Sequence, residues 1–298
     1  MKEKELKVKG AISEHTVKAV LASISPNTER AYRGAIKQLE KWLNGRSLTD
    51  ESLADYIATC FYEDGKSAST ISLIVSAVAW RSPDSTGEIT TKTLAGIRRE
   101  AKGRKQVQGL SYDDVDRLVS SCYAERSVKG VRDALLIRLM SDCLLRVSEA
   151  VAVNVEDFQQ GTLIIQKSKS DQEGEGASQL VCDATFHLLS HYLDVTKIEQ
   201  GALFRRLFKD GSTGNRLTAR SARQIIKDRS REVGLAGHIS GHSLRVGAAE
   251  SLAAGGATLV EMQIAGRWED PKMPAHYART EMAKRGAVAR IRNRGGSK

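Results

Sequence analysis

Along most of the chain, apolar residues recur every three to four positions, the period of an amphipathic helix. The Lys-rich start MKEKELKVKG reads as a flexible charged tail over residues 1–10. Behind it the spacing predicts a helix over Ala11–Ser23. Ser25-Pro26-Asn27-Thr28 then supplies a helix start, because a Ser hydroxyl caps orphan N–H groups and Pro is tolerated in the first turn. Tyr32, Ile36, Leu39 and Leu43 follow on one face. Thr49 or Asp50 caps a helix in which Leu53, Tyr56 and Ile57 align, and Ser69–Trp80 carries Ile71, Ile74, Val75 and Val78. Thr90-Thr91 opens a further helix that runs into Arg98, Arg99, Lys102, Arg104 and Lys105. No alternating pattern interrupts this stretch, so residues 11–102 are expected to form a helical bundle.

Periodicity lapses over GRKQVQGL, which marks residues 103–110 as a linker, and residues 111–298 read as a second domain. There Ser111 caps a helix to Tyr123, and Val131–Leu145 has the broad apolar face of a buried helix. Thr162–Ile165 and Ser178–Val181 read as paired strands around a polar hairpin, KSKSDQEGEGA. Helices are expected at 183–197, 218–233, 242–254 and 258–265. A last one, 281–292, is basic apart from an apolar stripe of Ala283, Ala287, Val288 and Ile291. The predicted fold class is mainly α with a small antiparallel sheet: a helical N-terminal domain followed by an α+β domain.

Composition narrows the function. The 298 residues are 41% hydrophobic, which suits folded cores, and no apolar run approaches the ~20 residues of a membrane span. No export signal follows the basic start, so the expected setting is the cytoplasm. Cys60, Cys122, Cys143 and Cys182 lie far apart, with no C-x-x-C, so neither a disulfide framework nor a zinc site is expected. His187 and His191 have a ligand spacing but no third ligand nearby. The net charge of +10 points to a polyanionic partner, nucleic acid before membrane.

The chemistry concentrates in HISGHSLRVGAAESLAAGGATLVEMQIAGRW, followed nine residues after Trp268 by Tyr277 in PAHYAR. His242 and Arg245 project from one helix face beside Gly241, and a helix N-terminus favours an anion. His276 beside Tyr277 and His238 near the start of the stretch are given no role. Transesterification of a phosphodiester needs a nucleophile, cations for the non-bridging oxygens and a proton for the leaving oxygen. Tyr277 supplies a phenolate. Arg146 and Arg245 supply guanidinium forks that match phosphate and stay charged. No compact carboxylate cluster is present to hold catalytic metals, and no P-loop, so the expected reaction uses no metal, no ATP and no cofactor.

These segments resemble the tyrosine recombinase (phage integrase) family, with HSLRVGAA, AGRW and the following tyrosine closest to its Cre-like pattern. LLRVSEAVAVNVEDF is similar to the family's first-arginine segment, with Arg146 in the arginine position and Glu149 behind it. KSKSDQEGEG resembles the hairpin that carries the family's lysine, which places it at Lys169, with Lys167 as the alternative. SPNTERAYRGAIKQLEKWL is similar to the core-binding domain, so the resemblance spans most of the chain.

The resemblance implies a two-domain, C-shaped clamp on DNA that acts as a homotetramer on two recombination sites, docked through helix 281–292. Tyr277 would form a 3′-phosphotyrosine, with strand exchange through a Holliday junction. Lys169 would be the general acid, its pKa lowered by neighbouring arginines. His242 would donate to phosphate or shuttle a proton at the tyrosine, and Glu149 would orient an arginine or His242. Trp268 stands where many members have histidine. Its indole only donates, so it either holds phosphate or buttresses Tyr277. Such a protein would be associated with a bacterial nucleoid, plasmid or phage.

DNA contact is expected from Arg98, Arg99, Lys102, Arg104 and Lys105, and from Arg205, Arg206, Lys227, Arg229 and Arg231. Helix 218–233 would present Arg220, Arg223 and Gln224 for base reading. Two other functions share these features. One is DNA relaxation of the type IB topoisomerase kind; the other is a non-catalytic DNA-binding regulator.

Overall fold

A computed structural model of the chain describes residues 13–101, 103, 107–165, 176–208, 210, 212–284 and 286. Contacts divide the chain into two units, Met1–Arg104 and Lys105–Lys298. In the first, the described residues form five helices: α1 (Glu14–Ala22), α2 (Pro26–Leu43), α3 (Asp50–Tyr62), α4 (Ala68–Arg81) and α5 (Glu88–Glu100). Local capping starts the first four. The side chains of Ser13, Ser25, Thr49 and Ser67 each accept the N–H three residues on, satisfying one orphan donor.

The fifth helix begins two residues before the expected Thr90, and its cap is not local. Gly87 precedes it without a side chain, and the carboxylate of Asp50, at the start of α3, accepts the N–H groups of Gly87, Ile89 and Thr90 at 2.7–3.0 Å. Leu39, Leu53, Ile57, Ile71, Ile74, Val78 and Ile97 fill the core between these helices.

The second unit holds α6 (Tyr112–Ala124), α7 (Val128–Asp142), α8 (Val147–Ala152), α9 (Asp183–Thr196), α10 (Ala219–Glu232), α11 (Ser243–Ala254), α12 (Leu259–Gly266) and α13 (Lys272–Lys284). Strands β1 (Phe158–Gln159), β2 (Thr162–Ile165) and β3 (Ala177–Leu180) form an antiparallel sheet in that order, with Leu163 opposite Gln179. A separate hairpin, β4 (Arg205–Leu207) and β5 (Thr213–Arg216), lacks the apolar alternation that announces a strand and was not anticipated. The main core is built from Leu118, Leu135, Leu136, Met140, Leu163, Tyr192, Phe204, Ile226 and Leu244.

The helix expected over Val131–Leu145 spans Val128–Asp142 instead. Leu144 then adopts φ +45°, and the chain turns sharply into α8. That turn delivers Arg146 to the start of α8. A second cluster, Leu144, Val246, Ala248, Ala249, Met262, Trp268, Tyr277 and Ala278, lies among α11, α12 and α13.

Arg229 is corrected from a DNA contact to a core residue. It is 3% exposed and pairs with Glu125, Asp133 and Glu232. Arg205 likewise turns inward, donating to the carbonyls of Ala202 and Gln200. Of the expected terminal helix, Glu281–Lys284 are the last turn of α13, whereas residues 285 and 287–298 lie outside the described residues.

Residues 108–110 run along the second unit, with the N–H of Gln108 donating to His238 and that of Leu110 to Ser243. A Cβ on Gly247 would lie 1.8 Å from the Leu110 carbonyl oxygen, a backbone atom held by that docking. Gly247→Ala is therefore expected to destabilise the protein by about 1–3 kcal/mol through overpacking. Urea unfolding checks this, and an unchanged midpoint would show that the 108–110 segment is not fixed against α11.

Candidate active site

Five of the six expected site residues converge from four places in the second unit. Arg146 is the residue before α8, in extended backbone (φ −71°, ψ 151°). Its N–H donates to Glu149 Oε2 at 2.9 Å, and its Nη1 donates to Oε1 at 2.6 Å. Glu149 thus grips both the backbone and the head group of Arg146, whose side chain stays 27% exposed. Burial by itself would raise the Glu149 pKa. The Arg146 hydrogen bonds and the charges of Arg267 and Arg146 nevertheless hold it below the usual carboxylate value. Glu149 also pairs with Arg267, so its contacts are with arginines.

Arg245, one turn into α11, is 1% exposed. Its Nη1 donates to the carbonyl of Leu144 and its Nη2 to that of Gly266. The guanidinium carbon stands 4.8 Å from the Trp268 ring centroid, a cation–π arrangement. Burial and then the charges of Arg146 and Arg267 push its pKa down to about 10, so Arg245 remains a cation at neutral pH. Its two carbonyl partners leave three of the five N–H groups for an anion.

Trp268 is 8% exposed and packs against both that guanidinium and Tyr277, whose ring centroid is 5.5 Å away at 34°. The closeness of Trp268 explains Gly266: a Cβ there would meet the indole at 2.2 Å.

Tyr277 projects from α13 and is also 8% exposed. Its hydroxyl lies 3.3 Å from Nε2 of His242, the residue that opens α11. Gly241 permits that position, since a Cβ would strike Val147 of α8 and Arg223 of α10. His242 sits at the rim of the site, open on one side and crowded on the other. Its pKa is lowered by burial first, then by Arg245 and Arg146, which makes it a neutral ring at pH 7. Burial raises the Tyr277 pKa, against the opposing pull of Arg245 and Arg146. A phenol in such a place keeps its proton until a base takes it, and the neutral His242 is the group within reach.

Lys169, with its alternative Lys167, lies outside the described residues, as do Lys102, Arg104 and Lys105. Arg98 and Arg99 lie exposed at the end of α5, with Arg98 Nη2 donating to Ser72 Oγ at 3.1 Å. Arg220, Arg223 and Gln224 are exposed on α10, where Gln224 donates to Asp228. Beside them Arg206, Phe208, Arg216, Thr218 and Ser221 line a groove of about 580 Å³. His276 is exposed and meets Tyr277 edge-on. Among the described residues no group of His, Cys, Asp or Glu could hold a metal ion, and no helix is long and apolar enough to cross a membrane. Sequence reasoning missed Arg267, which is 9% exposed on its side chain and pairs with Glu149. Its position one residue before Trp268 was the available signal.

Comparison with known proteins matches residues 108–284 to the phage integrase family and residues 19–79 to the phage integrase N-terminal SAM-like domain. The chain is 26% identical over 264 residues to tyrosine recombinase XerD of Mycobacterium leprae, covering 81% of this chain and 83% of that protein. It is 25% identical over 221 residues to recombinase Cre of Escherichia phage P1, covering 65% and 64%. Among solved structures, a lambda integrase dimer bound to a COC′ core site matches with TM-score 0.65 and 19% identity, covering 90% of this chain and 77% of that one. XerH bound to a palindromic difH substrate matches with TM-score 0.64 and 16% identity, covering 89% and 79%.

The crowding around His242 has a consequence for titration. Its imidazole is expected to titrate below the ordinary value of ~6.5, and Arg146→Gln is expected to raise the midpoint by removing a nearby cation. Since the unfolded chain then binds the proton more readily, folding stability should rise with pH between the folded midpoint and ~6.5. Ring-proton NMR measures this directly. A wild-type midpoint at or above 6.5 would contradict the arrangement.

Proposed function

Since the chain belongs to the phage integrase family, whose sequence profile covers residues 108–284, we propose that it is a site-specific DNA recombinase using Tyr277 as its nucleophile. The observation that carries this reading is the Tyr277 hydroxyl 3.3 Å from His242, on the side of the site where Arg146 and Arg245 place their charge. In the proposed reaction His242 takes the phenolic proton as Tyr277 attacks the scissile phosphorus. The tyrosine O–P bond forms as the bond to the leaving 5′-oxygen breaks. Arg146 and Arg245 stabilise the charge that grows on the non-bridging oxygens. Lys169 protonates the leaving oxygen, and Trp268 holds the phenol ring in line. The 3′-phosphotyrosyl ester keeps the energy of the broken bond, so a 5′-hydroxyl from another strand can reverse the step without an external energy source.

Strand exchange through a Holliday junction in a homotetramer follows from the same reading. The apolar stripe of Ala283, Ala287, Val288 and Ile291 supports it, because a stripe that small needs a partner surface. The exposed basic residues would grip phosphates, those of α5 from a domain over 11–102 and those of α10 from one over 111–298.

Two measurements test the reading. A nicked suicide duplex, or DNA recovered covalently attached to the protein in cells, should yield a protein–DNA adduct in EDTA without nucleotide, lost in Tyr277→Phe. No adduct with wild type, or one that survives Tyr277→Phe, would refute the assignment. Relaxation of a plasmid lacking the recovered sequence, by monomeric protein, would favour a topoisomerase. For the grip, Arg220→Ala is expected to weaken binding and lower the slope of log affinity against log salt by about 1. An unchanged slope would remove α10 from the DNA face.

A further inference from the structure

Arg267 is out of keeping with its own backbone. It ends α12 at φ +50°, ψ +49°, the left-handed region that a Cβ disfavours and glycine occupies freely. Residues persist there when the surroundings over-determine them. Here the surroundings include four hydrogen bonds from one guanidinium to described residues. Nη1 donates to the Cys143 carbonyl at 3.0 Å and to the side-chain oxygen of Gln179. Nη2 donates to the Leu144 carbonyl at 3.2 Å and to Glu149 Oε2 at 2.9 Å.

Each partner leads to a different part of the site. Glu149 holds Arg146 by backbone and side chain. The Leu144 carbonyl is shared with Arg245. Gln179, on β3, also donates to the Ala265 carbonyl at 2.8 Å, and β3 pairs with β2 at the base of the connection whose sequence contains Lys169. One side chain therefore joins the turn before α8, the sheet and the end of α12.

We propose that Arg267 is a positioning residue, which orients Arg146 through Glu149 and keeps Arg146's charge available to the scissile phosphate. The reasoning is electrostatic as well as geometric. A carboxylate paired with Arg146 alone would cancel the charge that the phosphate needs. With Arg267 on its other oxygen, Glu149 is shared between two guanidiniums, and the Arg245 cation adds a third positive charge nearby. This inference rests on the recombinase reading and adds to it a residue that acts through Glu149.

The test uses the full-length protein and a nicked duplex carrying the sequence recovered from the covalent adduct, with either a phosphate or a neutral methylphosphonate at the scissile position. Arg267→Gly suits the backbone and removes the fork, whereas Arg267→Lys keeps a charge without it. Both are expected to slow single-turnover cleavage of the phosphate about 10–100-fold, as a modest misplacement of a reacting group does, with duplex affinity little changed. On methylphosphonate, where Arg146 has no charge to oppose, the ratio of wild-type to variant rates should shrink toward one. Merely structural damage would slow both substrates alike. Equal slowing on the two substrates, or phosphate cleavage as fast as wild type, overturns the proposal. If Arg267→Gly melts early, Arg267→Lys decides by the same comparison. A wild-type protein that forms no Tyr277 adduct fells the recombinase reading and this inference with it. A normal wild-type adduct with unaffected variants fells this inference alone.

Discussion

The arrangement turns on one buried cation. A guanidinium at 1% exposure is costly unless its donors find partners, and Arg245 places two of its five on the main-chain carbonyls of Leu144 and Gly266. Those carbonyls belong to the turn before α8 and to the end of α12, so satisfying Arg245 fixes where both must lie. The left-handed Leu144 aims one carbonyl inward, and Gly266 leaves room for Trp268 beside the other. Trp268 then packs against both the guanidinium and the Tyr277 ring. The candidate nucleophile owes its place to the packing that neutralises the cost of a cation.

Charge in this region is arranged by imbalance. Arg146 and Arg267 share the carboxylate of Glu149, with the Arg245 cation nearby, and burial together with the charges of Arg245 and Arg146 disfavours a proton on His242. Arg245 and Arg146, which add to the effect of burial on the imidazole, also oppose the higher Tyr277 pKa that burial brings. The contrast within the same unit is Arg229, equally buried but matched by Glu125, Asp133 and Glu232. Matched, an arginine ties helices together; unmatched, it leaves a field for an anion.

Much of the molecule was legible in the chain. Helices came through where a Ser or Thr cap and a 3.6-residue apolar period coincide, as in α2, α3, α4 and α6. The sheet strands β2 and β3 came through on their apolar pattern and polar connection. Boundaries were misplaced where the determining partner is far away: Asp50 caps α5 from another helix, and nothing near Thr90 announces it. The β4–β5 hairpin carries arginines and threonine where an apolar period would be, so its pairing had no local sign.

For the site, residue identity and order were enough to name Arg146, His242, Arg245, Trp268 and Tyr277 as a group, because their chemical types suit one reaction and their motifs are specific. Sequence could not assign the arginines their jobs. Arg229, in a basic helix, reads like a DNA contact, and only folding sets three carboxylates around it. Arg267 reads like spacing before a tryptophan, and only folding brings Glu149 and Gln179 to its two nitrogens. Side-chain type and local period are properties of the chain. Whether a charge is matched, and what it then does, depends on neighbours that the chain alone does not place.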